Sequence, residues 1–371
     1  MYELLRRDKN ICLEKSPEKC GKMKSNQADH HESDDTLPGG NRYKALIPTI
    51  MGLGAILYLY GDDLVEIRDI EFSHRSAWAL AAAIGLVVIR DLAYMARVKI
   101  LSMGQFDWRS SLHVVLLWEF ASAITPSVIG GSPIAIYIMK REGMTLGRSV
   151  ATVLATSLMD ELFYVFAVPI FVFAIGTEVF IPEGLSETAQ LSIQSIFWTG
   201  YSIHCALMLL ILFVLFIRPK RTREIFLTLF RMRWLRRWKL WAESLTDEWM
   251  RASESLQGAT TTMWLKTLGV TFVSWTSRFL ILNAVLYIFF DSVQNLEVFA
   301  RQLSLWIAML VSPTPGASGI AEFSLPIFMQ GVAVVGGVSV LVWRILTYFI
   351  YLIVGSILLP RWMVKINTNS S

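Results

Sequence analysis

The chain has 371 residues, of which 54% are hydrophobic and only 17% charged, and its mean hydropathy is positive. That balance lies outside the range of soluble domains and makes a lipid bilayer the expected solvent. The net charge of +4 does not call for nucleic acid, because the basic residues lie between apolar runs, where lipid headgroups and the positive-inside bias account for them. Cys12, Cys20 and Cys205 match no zinc or redox spacing, so no metal, disulfide framework or cofactor is expected.

Residues 1–44 are polar, with nine Lys or Arg and a cluster at His30, His31, Glu32, Asp34 and Asp35 before Pro38-Gly39-Gly40. The composition reads as a disordered cytoplasmic tail in preference to a metal site, with no signal peptide and with Met23 as an alternative start to Met1. A bilayer-crossing helix needs about 20 mostly apolar residues. Six runs qualify: 45–60, 76–96, 149–175, 195–217, 267–290 and 334–359. Two further apolar stretches are broken in the middle, 112–139 by Thr125 to Pro133 (with Pro126, Gly130, Gly131 and Pro133) and 302–331 by Ser312 to Gly319 (with Pro313, Pro315, Gly316 and Gly319). Neither is one continuous helix.

Loop charge places these two stretches. The tail, 97–111, 140–148, 218–266 and the short tail 361–371 are basic and belong on the cytoplasmic side, whereas 61–75, 176–194 and 291–300 are acidic and belong outside. Stretch 112–139 then leaves and re-enters the cytoplasmic face, and 302–331 enters from the opposite face. The expected architecture is an all-α polytopic membrane protein over 45–360, with six spans, two opposed re-entrant hairpins in an inverted repeat, and both termini cytoplasmic. Span 76–96, its hairpin and span 149–175 correspond to span 267–290, its hairpin and span 334–359, and paired broken segments of this kind point to a binding site near the midplane. The alternative is that Pro and Gly only kink packed helices.

Ionisable side chains at membrane depth need a partner or a wet cavity. Arg90 and Asp91, Asp160 and Glu161, Arg278 and Arg344 lie inside spans, with Glu119 in the first hairpin and Glu322 just after the second break. Arg90, Glu119, Asp160, Glu161, Arg278, Glu322 and Arg344 form the expected substrate site, the arginine forks and the helix N-termini at the breaks suiting a phosphate. Locking of the bundle by ion pairs is the structural alternative. Arg301 is expected at the outer rim, and His113 and His204 as packing or interfacial residues. Within residues 218–255, nine Lys or Arg between Arg218 and Lys239 alternate with aromatics at helical spacing, as an interfacial basic helix or a topology anchor would.

Thr125-Pro126-Ser127, Gly130-Gly131-Ser132-Pro133, Lys140-Arg141-Glu142-Gly143, Asp160-Glu161 and above all Ser312-Pro313-Thr314-Pro315-Gly316-Ala317-Ser318-Gly319-Ile320-Ala321-Glu322 resemble the lysylphosphatidylglycerol synthase transmembrane-region family, a flippase-like domain. The resemblance covers about 45–360. It implies a multipass domain of the bacterial inner membrane which, in its best-known members, moves an aminoacylated phospholipid between leaflets. Those members also carry a soluble aminoacyl-transfer domain that this sequence does not contain, so lipid aminoacylation is not expected of it. Where other members often have a glutamate in the first break this chain has Ser132, which leaves the headgroup open. The leading expectation is translocation or handling of a lipid or lipid-linked anionic or aminoacylated headgroup. The alternatives are an intramembrane enzyme acting on a lipid phosphate, with Asp160 or Glu161 as acid or base, and a non-catalytic membrane partner of an envelope-biosynthesis enzyme.

Overall fold

The computed structural model describes residue 50, parts of 53–61, and 73–369 apart from 126–129, 183, 233, 311 and 334. The tail 1–44 and most of the first expected span, 45–60, lie outside the described residues, as does Pro126. Residues 45–371 form one compact unit, distinct from 1–44, and its described regular structure is helical. In chain order the helices are α1 (His74–Leu101), α2 (Trp108–Ile124), α3 (Gly131–Arg141), α4 (Leu146–Ile175), α5 (Glu187–Leu212), α6 (Pro219–Leu229), α7 (Lys239–Gln257), α8 (Thr261–Phe289), α9 (Asn295–Leu310), α10 (Ile320–Phe328), α11 (Gly337–Arg344) and α12 (Ile350–Asn369). A π-helical turn, Phe213–Ile217, extends α5, and another, Ile345–Phe349, joins α11 to α12.

Among the described residues five helical runs are long and apolar enough to cross a membrane: α1, α4, α5 with its extension, α8, and Gly337–Val364. Their starts are set locally. Ser73 caps α1 by accepting from the Ser76 amide at 3.2 Å, and Thr260 caps α8 by accepting from Met263 at 3.2 Å. Three boundaries differ from the sequence reading. The first membrane helix runs on to Leu101, so Arg97 and Lys99 are helical and not loop residues. Residues 218–255 are two helices, α6 and α7, with a turn at 230–238 between them. The last helix continues through 361–369, which the sequence suggested as a tail. Arg301, expected at the rim, is buried in α9.

Helices α1 and α8 pack antiparallel along their length. The Ser76 hydroxyl donates to the Ile288 carbonyl at 2.8 Å near one end, and the Ser274 hydroxyl donates to the Arg90 carbonyl at 3.1 Å further along. Small buried residues spread along both, Ser76, Ala79 and Ala83 on α1 and Thr271, Ser274 and Ser277 on α8, permit that approach where lipid offers no hydrophobic drive. Ile56, from the first expected span, is buried in the same cluster as Ala83 and Val87.

Helices α2 and α3 fold back on each other. His113 near the start of α2 meets Glu142 after α3, while at the turn a Cβ on Gly131 would stand 2.1 Å from the Ser122 hydroxyl. Only glycine fits there. Helices α9 and α10 likewise pack together across the Ser312–Gly319 turn. Loop contacts then sort by end. Arg148 donates to the Ser102 carbonyl, the Gly147 amide to Glu248, Ser253 to the Leu215 carbonyl and Trp362 to Glu142, gathering the basic loops at one end. Arg75 pairs with Asp291, and Asn283 donates to Asn295 at 3.0 Å, which gathers 73–76 and 283–295 at the other.

Candidate functional site

A cavity of about 570 Å³ lies among α1, α2, α3, α4, α5, α8, α9 and the final helical run. Helical spacing builds its wall. Arg90, Tyr94 and Arg97 on α1, Ser157, Asp160, Glu161 and Tyr164 on α4, Ser274, Trp275 and Arg278 on α8, and Arg344, Tyr348 and Tyr351 on the last span recur at three- and four-residue intervals, which puts each set on one helix face. Glu119 from α2, Ser132 and Pro133 from α3, His204 from α5, Trp306 from α9 and Gly316 from the second break complete the parts used below. Of the seven residues singled out from sequence, six line this space. Glu322 stands behind Arg344 and is fully buried.

The four arginines are committed to different degrees. Arg90 is buried, donating to Glu119, to the Tyr351 hydroxyl and, at 3.0 Å, to Asp91. Tyr351 in turn donates to Asp91 at 2.9 Å. Arg97 pairs with Asp160, which also accepts from the Trp275 indole at 2.6 Å. Arg344 donates to Glu322 at 2.6 Å and lies 3.4 Å from the Gly316 and Ala317 carbonyls. Arg278 is the exception: among the described residues its contacts are an ion pair to Glu119 at 3.5 Å and the faces of Trp306 and Trp275, 4.6 and 5.3 Å from its guanidinium carbon, with no hydrogen bond. It therefore keeps donor capacity at the cavity wall.

The second break is held shut by its own acid and base. Glu322 accepts from the Gly319 amide at 2.6 Å while Arg344 grips its other oxygen, so the N-terminus of α10 is capped from within. Gly316 has φ +54° and its missing Cβ would stand 2.1 Å from the Tyr348 ring. Two independent constraints thus demand glycine. The Tyr348 hydroxyl accepts from Ser318 at 3.0 Å and lies 3.2 Å from the Ala123 carbonyl and 3.5 Å from the Pro315 carbonyl, so it touches both breaks. Pro313 and Pro315 shape the turn between α9 and α10, Gly319 (φ +87°) caps α10, and Gly130 caps α3.

Sequence reasoning missed Arg97, His204 and the tyrosines. Arg97 follows Arg90 by seven residues, two helical turns, and Tyr351 follows Arg344 by seven, so the face was readable once the helices were extended far enough. His204, read as packing, has Nδ1 2.5 Å from Glu161, with Tyr164 stacked on its ring at 4.6 Å. Chemically the wall offers one underused guanidinium between indoles, several arginine–carboxylate pairs and one histidine–carboxylate pair, which suits binding of a polar, charged headgroup in an otherwise aromatic cavity.

Residues 45–355 match the model of a family described as the lysylphosphatidylglycerol synthase TM region. A UPF0104 membrane protein of Archaeoglobus fulgidus is 27% identical over 306 residues, which cover 78% of this chain and 89% of that protein. No solved structure matches. The match spans the membrane helices, both broken segments and the cavity they enclose, and the chain is a multipass membrane protein belonging to the lysylphosphatidylglycerol synthase transmembrane-region family.

Proposed function

We propose that this protein handles a membrane lipid, or a lipid-linked molecule, by its anionic or aminoacylated headgroup, and carries that headgroup across the bilayer through the 570 Å³ cavity. The observation that carries the reading is Arg278, a guanidinium at membrane depth on the cavity wall with no hydrogen bond to any described residue. A charge kept at such cost and left with donors to spare suits a phosphate oxygen, and an arginine fork takes that group bidentately. Arg90, Glu119, Asp160, Glu161, Glu322 and Arg344 hold and polarise the surroundings. The antiparallel α1 and α8 pair and the two fold-back helix pairs support a six-span inverted repeat, with α2–α3 and α9–α10 re-entering from opposite faces. The end that collects the basic loops is then cytoplasmic, and a bacterial inner membrane is the setting. An envelope-biosynthesis enzyme is the natural partner to supply or consume the lipid.

The test is reconstitution into vesicles with labelled phosphatidylglycerol in one leaflet. Wild-type protein speeds its appearance in the other leaflet, and Arg278→Ala slows it about tenfold or more, the loss expected for one charge-assisted contact. Flux equal to that of empty vesicles with every anionic, aminoacylated and polyprenyl lipid tried would remove the reading.

A further inference from the structure

Neither α6 nor α7 lines the cavity. Helix α7 buries Ala242, Thr246, Trp249, Ser253 and Leu256, a stripe at three- and four-residue spacing. It is tied to α4 and to the extension of α5, where the Gly147 amide donates to Glu248 at 2.9 Å and Gln257 donates to the Leu215 carbonyl at 2.9 Å. Helix α6 buries none of its residues. It is fastened to α7 by Arg223, which donates to Asp247 at 2.7 Å, and by the rings of Phe226, Phe230 and Trp241, with neighbouring centres 4.9 and 6.1 Å apart. The tip of this hairpin is left uncovered. Met232, Trp234, Trp238, Leu240 and Trp241 are there between 44% and 82% exposed. Arg231, Arg236, Arg237 and Lys239 are exposed among them.

Large apolar side chains grouped on an exposed surface mark a contact with a membrane or a protein, and two features select the membrane. The first is position. Helix α5 and its extension form a membrane-length run to Ile217 and α6 starts at Pro219, so the hairpin is joined directly to a span, at the end where the basic loops gather. A hairpin projecting away from the bilayer would hold three tryptophans and a leucine in water. One lying along it places them at the boundary of acyl chains and headgroups, where indoles settle and guanidinium groups reach phosphates. The second feature is charge. Between Glu224 and Glu243 the sequence has five Lys or Arg and no acid. Glu243 itself is 3.5 Å from Lys239, while Asp247 and Glu248 are engaged by Arg223 and the Gly147 amide. Such a surface complements an anionic leaflet, to which each cation adds about a fivefold attraction.

We infer that the tip of the α6–α7 hairpin is a docking surface for anionic phospholipid, lying in the headgroup layer of the leaflet at the basic end of the molecule. This surface is separate from the cavity and does not rest on the headgroup reading above. The test uses the full-length protein with native cysteines removed and Leu240→Cys carrying an environment-sensitive fluorophore, which keeps every tryptophan in place. It is placed in nanodiscs of phosphatidylcholine with brominated acyl chains, alone or with about a third phosphatidylglycerol. The label is quenched by the bromines, at least about twofold more strongly with phosphatidylglycerol. That difference disappears in Arg236→Gln/Arg237→Gln/Lys239→Gln and, with no further substitution, in about 0.5 M salt, which screens exposed charges. It persists in Arg278→Ala, where the cavity's guanidinium is gone. An unquenched label, equal quenching in both lipids, or a difference indifferent to salt overturns the inference. A shifted emission without quenching places a protein on the face, such as a second copy of this chain, and overturns it as well.

Discussion

At the level of single residues, the pair Arg344 and Glu322 shows how a membrane charge serves geometry. Both are buried, and between them they hold the Gly319 amide and approach the Gly316 carbonyl at the broken backbone, together with the Ala317 carbonyl, which also accepts from the Ala321 amide. Glu322→Ala strands a buried guanidinium and is expected to destabilise the protein by about 3–5 kcal/mol, whereas replacing both residues by apolar ones of similar size costs less. Thermal unfolding in detergent checks this; equal losses in the single and double variants would count against it. The Pro-Thr-Pro-Gly signature with its glutamate was legible in the sequence, as were Arg278, Asp160 and Glu161, because charge inside an apolar run stands out. Arg97, Tyr348 and Tyr351 were not. Arg97 lies at the edge of its hydrophobic run, and hydroxyls raise no alarm in a hydropathy pattern.

Among the elements, the base of the α2–α3 hairpin is tied to the last helix by one carboxylate. Glu142 accepts from the Trp362 indole at 2.6 Å and sits 2.9 Å from His113. Burial pushes its carboxyl up, but hydrogen bonds from His113, Trp362 and Ser110 outweigh that and hold it below the usual carboxylate range. A lowered folded-state pKa means that the contribution is complete above the ordinary carboxylate value of about 4.3 and is lost as pH falls through the lower, folded one. Unfolding midpoints measured between neutral and acid pH are therefore expected to fall on acidification in wild type, and to fall less steeply in Glu142→Gln. Identical slopes would mean that the tie has no energetic weight. Helix identity was readable here from apolar run length and the Pro and Gly breaks. Boundaries were less so: the turn at 230–238 interrupts an uninterrupted charge-and-aromatic pattern with no proline or glycine to mark it, and the π-helical turn at Ile345–Phe349 has no sequence signature at all.

For the molecule as a whole, the two ends of the helical body separate basic from acidic loops, and that separation was already implied by counting Lys and Arg. Single cysteines at exposed Thr145 and Gln294, with native cysteines removed, test the sidedness. Labelling of Thr145→Cys only from the cytoplasm and of Gln294→Cys only from outside is expected. Labelling of both from one side would mean that a broken segment crosses the membrane and would dissolve the inverted repeat. What the sequence could not reveal is which wall residues meet, since that depends on the antiparallel register of α1 and α8, fixed by serine hydroxyls on distant carbonyls.

The Tyr348 hydroxyl has a consequence at this scale. It has one hydrogen and lies within reach of Ala123 in one half of the chain and of Pro315 and Ser318 in the other. Two segments almost two hundred residues apart therefore share a single fastening, so loosening either tip withdraws a contact from its counterpart. Their free energies of opening are not independent quantities: Tyr348→Phe, which keeps the ring against Gly316 and deletes only the fastening, is expected to let each tip exchange its amide hydrogens on its own schedule.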